Sequence, residues 1–478
     1  MNWFKNTKQP YKSEFIVTGL ILLFFYLTYF YTDVAITTRS GIDFWTFLFN
    51  GQISDFYELS KDMTFYDTLH CDALYDFSIY IIFAIWDFPL WLAEKFWGID
   101  ALMSTPCLLW AKGIMLPFLA GSMIYLKKIG TELGFSKEKN NWCLLTYISS
   151  SFVISSIFVL CQYDIIGIFF SLIGLYYYIK GDLKKFTLFM AISITMKNFA
   201  LLIFLPLILL KEKKIVKVVL YTIASMGIFI LSQLLFTIIG ATPAGSFLFA
   251  QVNKFLIGTI PVGLGNASLF IICYLAILLF CYMKNCSTEY ELRRFSIYVP
   301  FVVWAAFLVF SETSPYWIIL IAPYFTLMAC QNTSILKLNL LLEGFAGAGL
   351  ILAQNLFFPW VFSYKWLMAL MPFSKIFHPI EKMVQENNLS ILGDEKTLTT
   401  FTNTFGLPLT LALFAFSMIS LVVLNFPWKK QIEEAAQNGV SDFSEELSVE
   451  RSVVWFRFAL GCGVCLVPFF FYFLDWMF

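Results

Sequence analysis

Apolar stretches close to span length recur along the whole of this 478-residue chain. A helix needs roughly 20 apolar residues to cross a bilayer core about 30 Å thick. Inside that core only helices and closed barrels satisfy their own backbone groups. The chain is 59% hydrophobic and 13% charged, with mean hydropathy +0.75, whereas soluble domains carry about 25% charged residues. The alternating pattern of an outer-membrane barrel is absent. The sequence therefore predicts an all-α polytopic membrane protein. Candidate spans lie at 14–32, 107–126, 141–160, 164–179, 186–196, 198–210, 216–238, 266–283, 295–310, 315–330, 338–356, 407–426 and 453–474, which predicts about 11–13 transmembrane helices. Net charge is zero and no basic patch stands out, which argues against a nucleic-acid partner.

Lys and Arg choose the orientation. Lys5, Lys8 and Lys12 precede the first apolar stretch, which is too long for a signal peptide and is read as a retained span. With the N-terminus in the cytoplasm, most of the 32 basic residues fall on the inner side. Crossing by Tyr80–Trp97 would flip every later basic loop outward. That segment also interleaves Asp87, Glu94 and Lys95 with Trp86, Trp91 and Trp97, a pattern suited to the interface. It is therefore assigned to interfacial helices in an acidic first outer loop, about 33–106. The expected organisation is a membrane-embedded catalytic module over 1–356, an outer capping loop over 357–406 and C-terminal spans over 407–478. The stretches 186–196 and 198–210 would cover only about 17–20 Å, and such short helices must line a cavity or stay shielded by protein.

Chemistry must then be assembled from outer loops and span ends. Asp43 follows the first span within Ser40-Gly41-Ile42-Asp43-Phe44-Trp45, and Asp33 is nearer the span end. Acidic residues there are functional candidates; the plainer reading is that Ser40 to Asp43 opens an interfacial helix over 43–50. Gln162-Tyr163-Asp164 marks an outer turn that could bind sugar hydroxyls or simply close a tight turn. Lys197 interrupts the two short spans and suits a phosphate, or snorkels. Arg39 is a similar cation. Tyr316 and Trp317 suit a sugar face or interface anchoring, and His378 is one of only two histidines. No P-loop, GxSxG or Cys/His ligand set occurs. Cys462 and Cys465 form a CxxC inside a span and are read as packing residues.

Three places resemble the GT-C superfamily of integral-membrane glycosyltransferases, which use lipid-phosphate-linked sugars on the outer face. Ser40-Gly41-Ile42-Asp43-Phe44 with Gly51 and Tyr57 is similar to the family's first-loop pattern. Gln162-Tyr163-Asp164 with Gly181, Lys197 and Pro206 resembles a block of the bacterial polyprenyl-phosphate-sugar branch. Ser314-Pro315-Tyr316-Trp317 with Pro323 resembles a later outer turn. The resemblance implies a GT-C-like bundle in the plasma membrane that moves a monosaccharide, with inversion, from a polyprenyl-phosphate donor to a cell-envelope glycan, teichoic acid or lipid acceptor. Asp43 would be the base, and Lys197 with Arg39 would hold the departing phosphate. Ile42 stands where some branches carry a second acidic residue, so the pattern does not decide whether a divalent metal is used; no ligand motif is evident. A lipid-linked-sugar flippase or other transporter is the alternative, and would need buried mid-span charges, of which Lys112 is the main example. A non-catalytic membrane scaffold is the third reading.

Overall fold

The computed structural model describes residues 6–61, 64–65, 69–70, 73–238, 254–263, 265–357, 365–367, 406–437 and 442–477. The chain is mostly helical. Among the described residues, five helices are long and apolar enough to cross a membrane: Phe77–Trp97, Thr105–Glu132, Glu289–Phe310, Thr333–Gln354 and Leu407–Glu434. Lys137–Ile148 with Ser151–Val159, and Ile215–Ser225 with Gly227–Ile238, reach that length only as pairs bent by 44° and 51°. The chain is thus a multi-pass membrane protein, and its described residues hold five to seven such helices. Several expected spans are too short: Asp164–Ile179, Asn198–Lys211, Leu269–Met283 and Pro315–Gln331 have between 10 and 17 residues.

The segment expected at the interface is instead one continuous helix of crossing length, Phe77–Trp97. Its ends explain its limits. The Asp76 carboxylate accepts from the Ser78 amide at 3.1 Å, an N-cap. At the other end Gly98 has φ 61°, and its amide donates to the Glu94 carbonyl at 3.2 Å. A left-handed residue there is what a helix C-terminus requires, and glycine adopts it without steric cost.

Two compact units interleave along the sequence. The first unit comprises Met1–Tyr31, Leu133–Leu160 and Ser314–Phe478. Here Arg451 is clamped between Glu14 at 3.0 Å and the face of Tyr11, 3.4 Å from the ring centroid. Deeper in this unit Arg457 and Glu343, both wholly buried, form an ion pair at 3.3 Å. Arg457 also donates to the Thr146 carbonyl at 2.7 Å and to Ser149 Oγ at 2.6 Å. Glu343 accepts from the hydroxyls of Ser150 and Ser151. Ser149 and Ser150 occupy the break between Lys137–Ile148 and Ser151–Val159 and Ser151 opens the second helix, so the charge pair is bonded to the place where the helix bends.

The second unit comprises Thr32–Glu132 and Cys161–Thr313. Helix Thr32–Phe49 packs along Phe77–Trp97. Trp45 donates to the Ala84 carbonyl at 2.7 Å, and Trp91 to Thr46 Oγ1 at 3.2 Å. Each indole thus buries its ring while its N–H finds a partner. Leu183–Met196 packs closely on Asp164–Ile179, with Ser193 Oγ donating to the Gly167 carbonyl at 2.8 Å.

Removing one partner of a buried pair leaves an uncompensated charge, at about 3–5 kcal/mol. Arg457→Leu should therefore lower thermal stability strongly in detergent or lipid discs. The double replacement Glu343→Leu with Arg457→Met should lose much less than Arg457→Leu alone. Equal losses in the two proteins would show that the charge pair is not what holds the bend.

Candidate functional site

The sequence-derived candidates in the second unit fall into two groups. One gathers around Lys197. Cys161 has φ 53°, the single non-glycine residue with positive φ among the described residues. That left-handed turn is costly for a side-chain-bearing residue, and it introduces Gln162, Tyr163 and Asp164. Asp164 opens helix Asp164–Ile179, where the helix dipole favours an anion. Lys197 sits in extended backbone between Leu183–Met196 and Asn198–Ala200. Its ammonium meets Asp164 at 2.7 Å, with side-chain exposures of 9% and 0%. Gln162 Nε2 donates to Asp33 Oδ2 at 3.0 Å, and Asp33 lies in the first turn of Thr32–Phe49. The ammonium also faces the rings of Tyr75, Phe199 and Tyr163 at 5.3, 5.7 and 5.9 Å. Tyr75 and Tyr163 meet edge to face at 5.4 Å.

Burial and neighbouring charges act on Asp33 and Lys197. Burial pushes Asp33 up to about 6, against the opposing effects of the Gln162 hydrogen bond and Lys197, while Asp164 adds to the rise. Burial pulls Lys197 down, but Asp164, Tyr75 and Asp33 together hold it above the ordinary lysine value. Asp164 is the ion-pair partner of Lys197, while Asp33 is bonded to the neutral Gln162 amide.

Asp43 lies elsewhere. Helix Thr32–Phe49 runs unbroken through Ser40 to Asp43, so Asp43 is neither in a loop nor at the start of a helix over 43–50. Ten residues separate it from Asp33, about 15 Å along the axis. Arg39 donates to Asp43 Oδ1 from Nε at 2.9 Å and from a terminal nitrogen at 2.6 Å, and also bridges to Glu94 at 3.2 Å. Burial raises the Asp43 carboxyl above its usual range, with Arg39 pulling against it. Arg39 is therefore committed to two carboxylates and does not join Lys197.

Tyr316 and Trp317 belong to the first unit. There the Tyr316 carbonyl accepts from Ser156 Oγ at 2.8 Å, and Trp317 is 3% exposed. His378 lies outside the described residues. Tyr75 and Lys254 went unread in the sequence. The Lys254 carbonyl accepts from the Glu312 amide at 3.1 Å. Burial holds the Lys254 ammonium below the usual lysine value, Glu312 opposes this, and Lys197 is near enough to add to the lowering. Neither residue carries a local pattern that would mark it, because each meets the site from a distant stretch of chain. Among the described residues no group of three or more His, Cys, Asp or Glu is placed to hold a metal.

Comparison with models of known protein families, with curated proteins and with solved structures finds no match for this chain.

The raised Asp33 carboxyl has a stability signature with a fixed sign. Unfolded aspartate ionises near 3.9, so between about pH 4 and 6 the folded chain binds the extra proton. Relative to Asp33→Asn, the wild-type protein should be most stable below about pH 4, lose that margin as pH rises to about 6, and stay level above it. The pH dependence of thermal unfolding of the two proteins measures this; a margin that grew with pH would contradict the environment described for Asp33.

Proposed function

We propose that this chain is a GT-C-like glycosyltransferase of the plasma membrane, with its N-terminus in the cytoplasm and its site on the outer face. It would use a polyprenyl-phosphate sugar donor and a glycan, teichoic acid or lipid acceptor. The observation that carries this reading is the grouping of the Asp33 carboxyl, bonded to Gln162, with the Lys197 ammonium and Asp164. In this reading Asp33, not Asp43, is the base. Its partner is an amide, which leaves it free to accept a proton, whereas Asp43 is held by a guanidinium.

The transfer then follows from the group's chemistry. Asp33 takes the proton of the acceptor hydroxyl. The hydroxyl oxygen bonds to the anomeric carbon as the bond from that carbon to the phosphate oxygen breaks, with inversion. Polyprenyl phosphate leaves with that electron pair, and Lys197 turns part of its charge from Asp164 toward the new anion. Gln162 orients Asp33, and the rings of Tyr75 and Tyr163 offer faces to the sugar. Exposed Leu220, Ile223, Leu275 and Leu279 offer apolar surface on which a prenyl tail loses nothing by leaving other lipid.

A transporter is the second reading, and a specific observation favours it. Span-length helices carry more buried charge than expected: Asp87 and Lys112 in one unit, and Glu343 in the other. Bent spans and intramembrane charges are the marks of transported-substrate paths.

With purified protein in lipid discs and a polyprenyl-phosphate sugar, Asp33→Asn should cut turnover by about 10²–10⁴-fold. Lys197→Met should cost about 10²–10³-fold. Asp43→Asn should mainly lower stability. Wild-type turnover in Asp33→Asn would remove the assignment of the base. Movement of the lipid-linked sugar across proteoliposomes with no transfer would favour the transporter.

A further inference from the structure

Asp87 belongs to neither group described above. It lies inside Phe77–Trp97, in a helix of crossing length, and is 2% exposed. Its Oδ1 has no hydrogen-bond partner among the described residues. Its Oδ2 rests against helix Thr32–Phe49 at Gly41, where a Cβ would come within 2.8 Å of that oxygen and 3.1 Å of the Phe83 carbonyl. A side chain at 41 would have to displace helix backbone, so glycine is what lets the carboxyl sit there.

Every charged group on the elements packed around Asp87 is engaged elsewhere. On Thr32–Phe49, Arg39 is bound to Asp43 and Glu94. On its own helix Lys95 lies over the Trp91 ring at 4.5 Å. On Thr105–Lys112, Lys112 reaches Cys161. On Leu183–Met196, Lys184 and Lys185 stand at the opposite end from Lys197, and Lys197 is paired with Asp164. Of the nearby phenols, Tyr80 accepts from the Tyr75 amide, and Tyr163 meets Phe83 edge to face at 5.4 Å. None of these acts on the Asp87 carboxyl, which is buried.

An ionised carboxylate without a partner in such a place costs far more than the neutral acid, so the group takes up a proton. We propose that Asp87 is a proton-binding site within the membrane. The neutral acid fits against Gly41; releasing the proton to solvent leaves a bare carboxylate pressed on backbone and drives the two helices apart at that crossing. Because helix Thr32–Phe49 also carries Asp33 and Asp43, the proton would set the placement of both. This holds whichever chemistry the Lys197 group performs.

The test uses the full chain in lipid discs and infrared spectroscopy across mildly acidic to mildly alkaline pH. The wild-type protein should show a carboxylic-acid C=O band at neutral pH that fades on alkalinisation, and Asp87→Asn should lack it while Asp43→Asn keeps it. A second measurement needs no variant. The O–H of a neutral buried acid adds across a C=N bond of a hydrophobic carbodiimide and the product rearranges to a stable N-acylurea, so mass spectrometry of the wild-type protein should place this adduct on Asp87, with labelling falling as pH rises. Identical acid bands in wild type and Asp87→Asn would overturn the proposal. So would a wild-type protein with neither a pH-dependent acid band nor an adduct at Asp87.

Discussion

An ammonium withdrawn from water must find a counter-charge, and the second unit is organised around how Lys197 finds one. The side chain emerges where the backbone breaks between two short helices, and Asp164 waits at 2.7 Å at the start of another. Without Asp164, desolvation would favour the neutral amine. With it, the ion pair fixes how Leu183–Met196 meets Asp164–Ile179, and so fixes where Gln162 stands. Gln162 in turn reaches Asp33. One electrostatic requirement therefore aligns three stretches of chain that are far apart in sequence. The strained turn at Cys161 is tolerable because the residues after it are held this way on both sides.

The first unit meets the same requirement with a different result. Arg457 and Glu343 are as buried as Lys197 and Asp164, and a backbone carbonyl and serine hydroxyls bond to them. Such a network ties down a bend. The Lys197 group differs in that Asp33 is bonded to a neutral amide, Gln162, rather than to a cation, which is what suits it to the proposed proton transfer.

Much of this was legible in the sequence, for physical reasons that also explain what was not. Lys197, Gln162 and Asp164 stand out because polar residues inside apolar stretches need a reason to be there. The short helices around Lys197 were legible because length converts directly to rise. Asp43 stands out over Asp33 in the sequence because Phe44-Trp45, Gly51 and Tyr57 follow it in a first-loop pattern. That pattern does not show that helix Thr32–Phe49, packed on Phe77–Trp97, runs straight through the stretch. Phe77–Trp97 itself was assigned to the interface by its charges, but Glu94 is bonded to Arg39 and Lys95 lies over Trp91; those pairings are invisible until the helices are brought together. Glu343 and Arg457 show the same limit, since each looks unremarkable until the other is beside it.

The choice between Asp33 and Asp43 turns on what a partner does to a carboxylate. Both sit on one helix and both are desolvated. A guanidinium donating twice to one oxygen stabilises the anion by charge as well as by hydrogen bonding. A neutral amide offers a single hydrogen bond and no charge, so it orients the carboxylate without that stabilisation. Asp43 is thus the stronger structural anchor, and Asp33 the carboxyl whose bonded partner is not a cation. Because the two lie about 15 Å apart along the same helix, a rigid shift of that helix displaces both at once. An anchor at one point and a titrating group at another make the helix a lever, and its crossing at Gly41 is the place where a single proton on Asp87 has the most leverage over it.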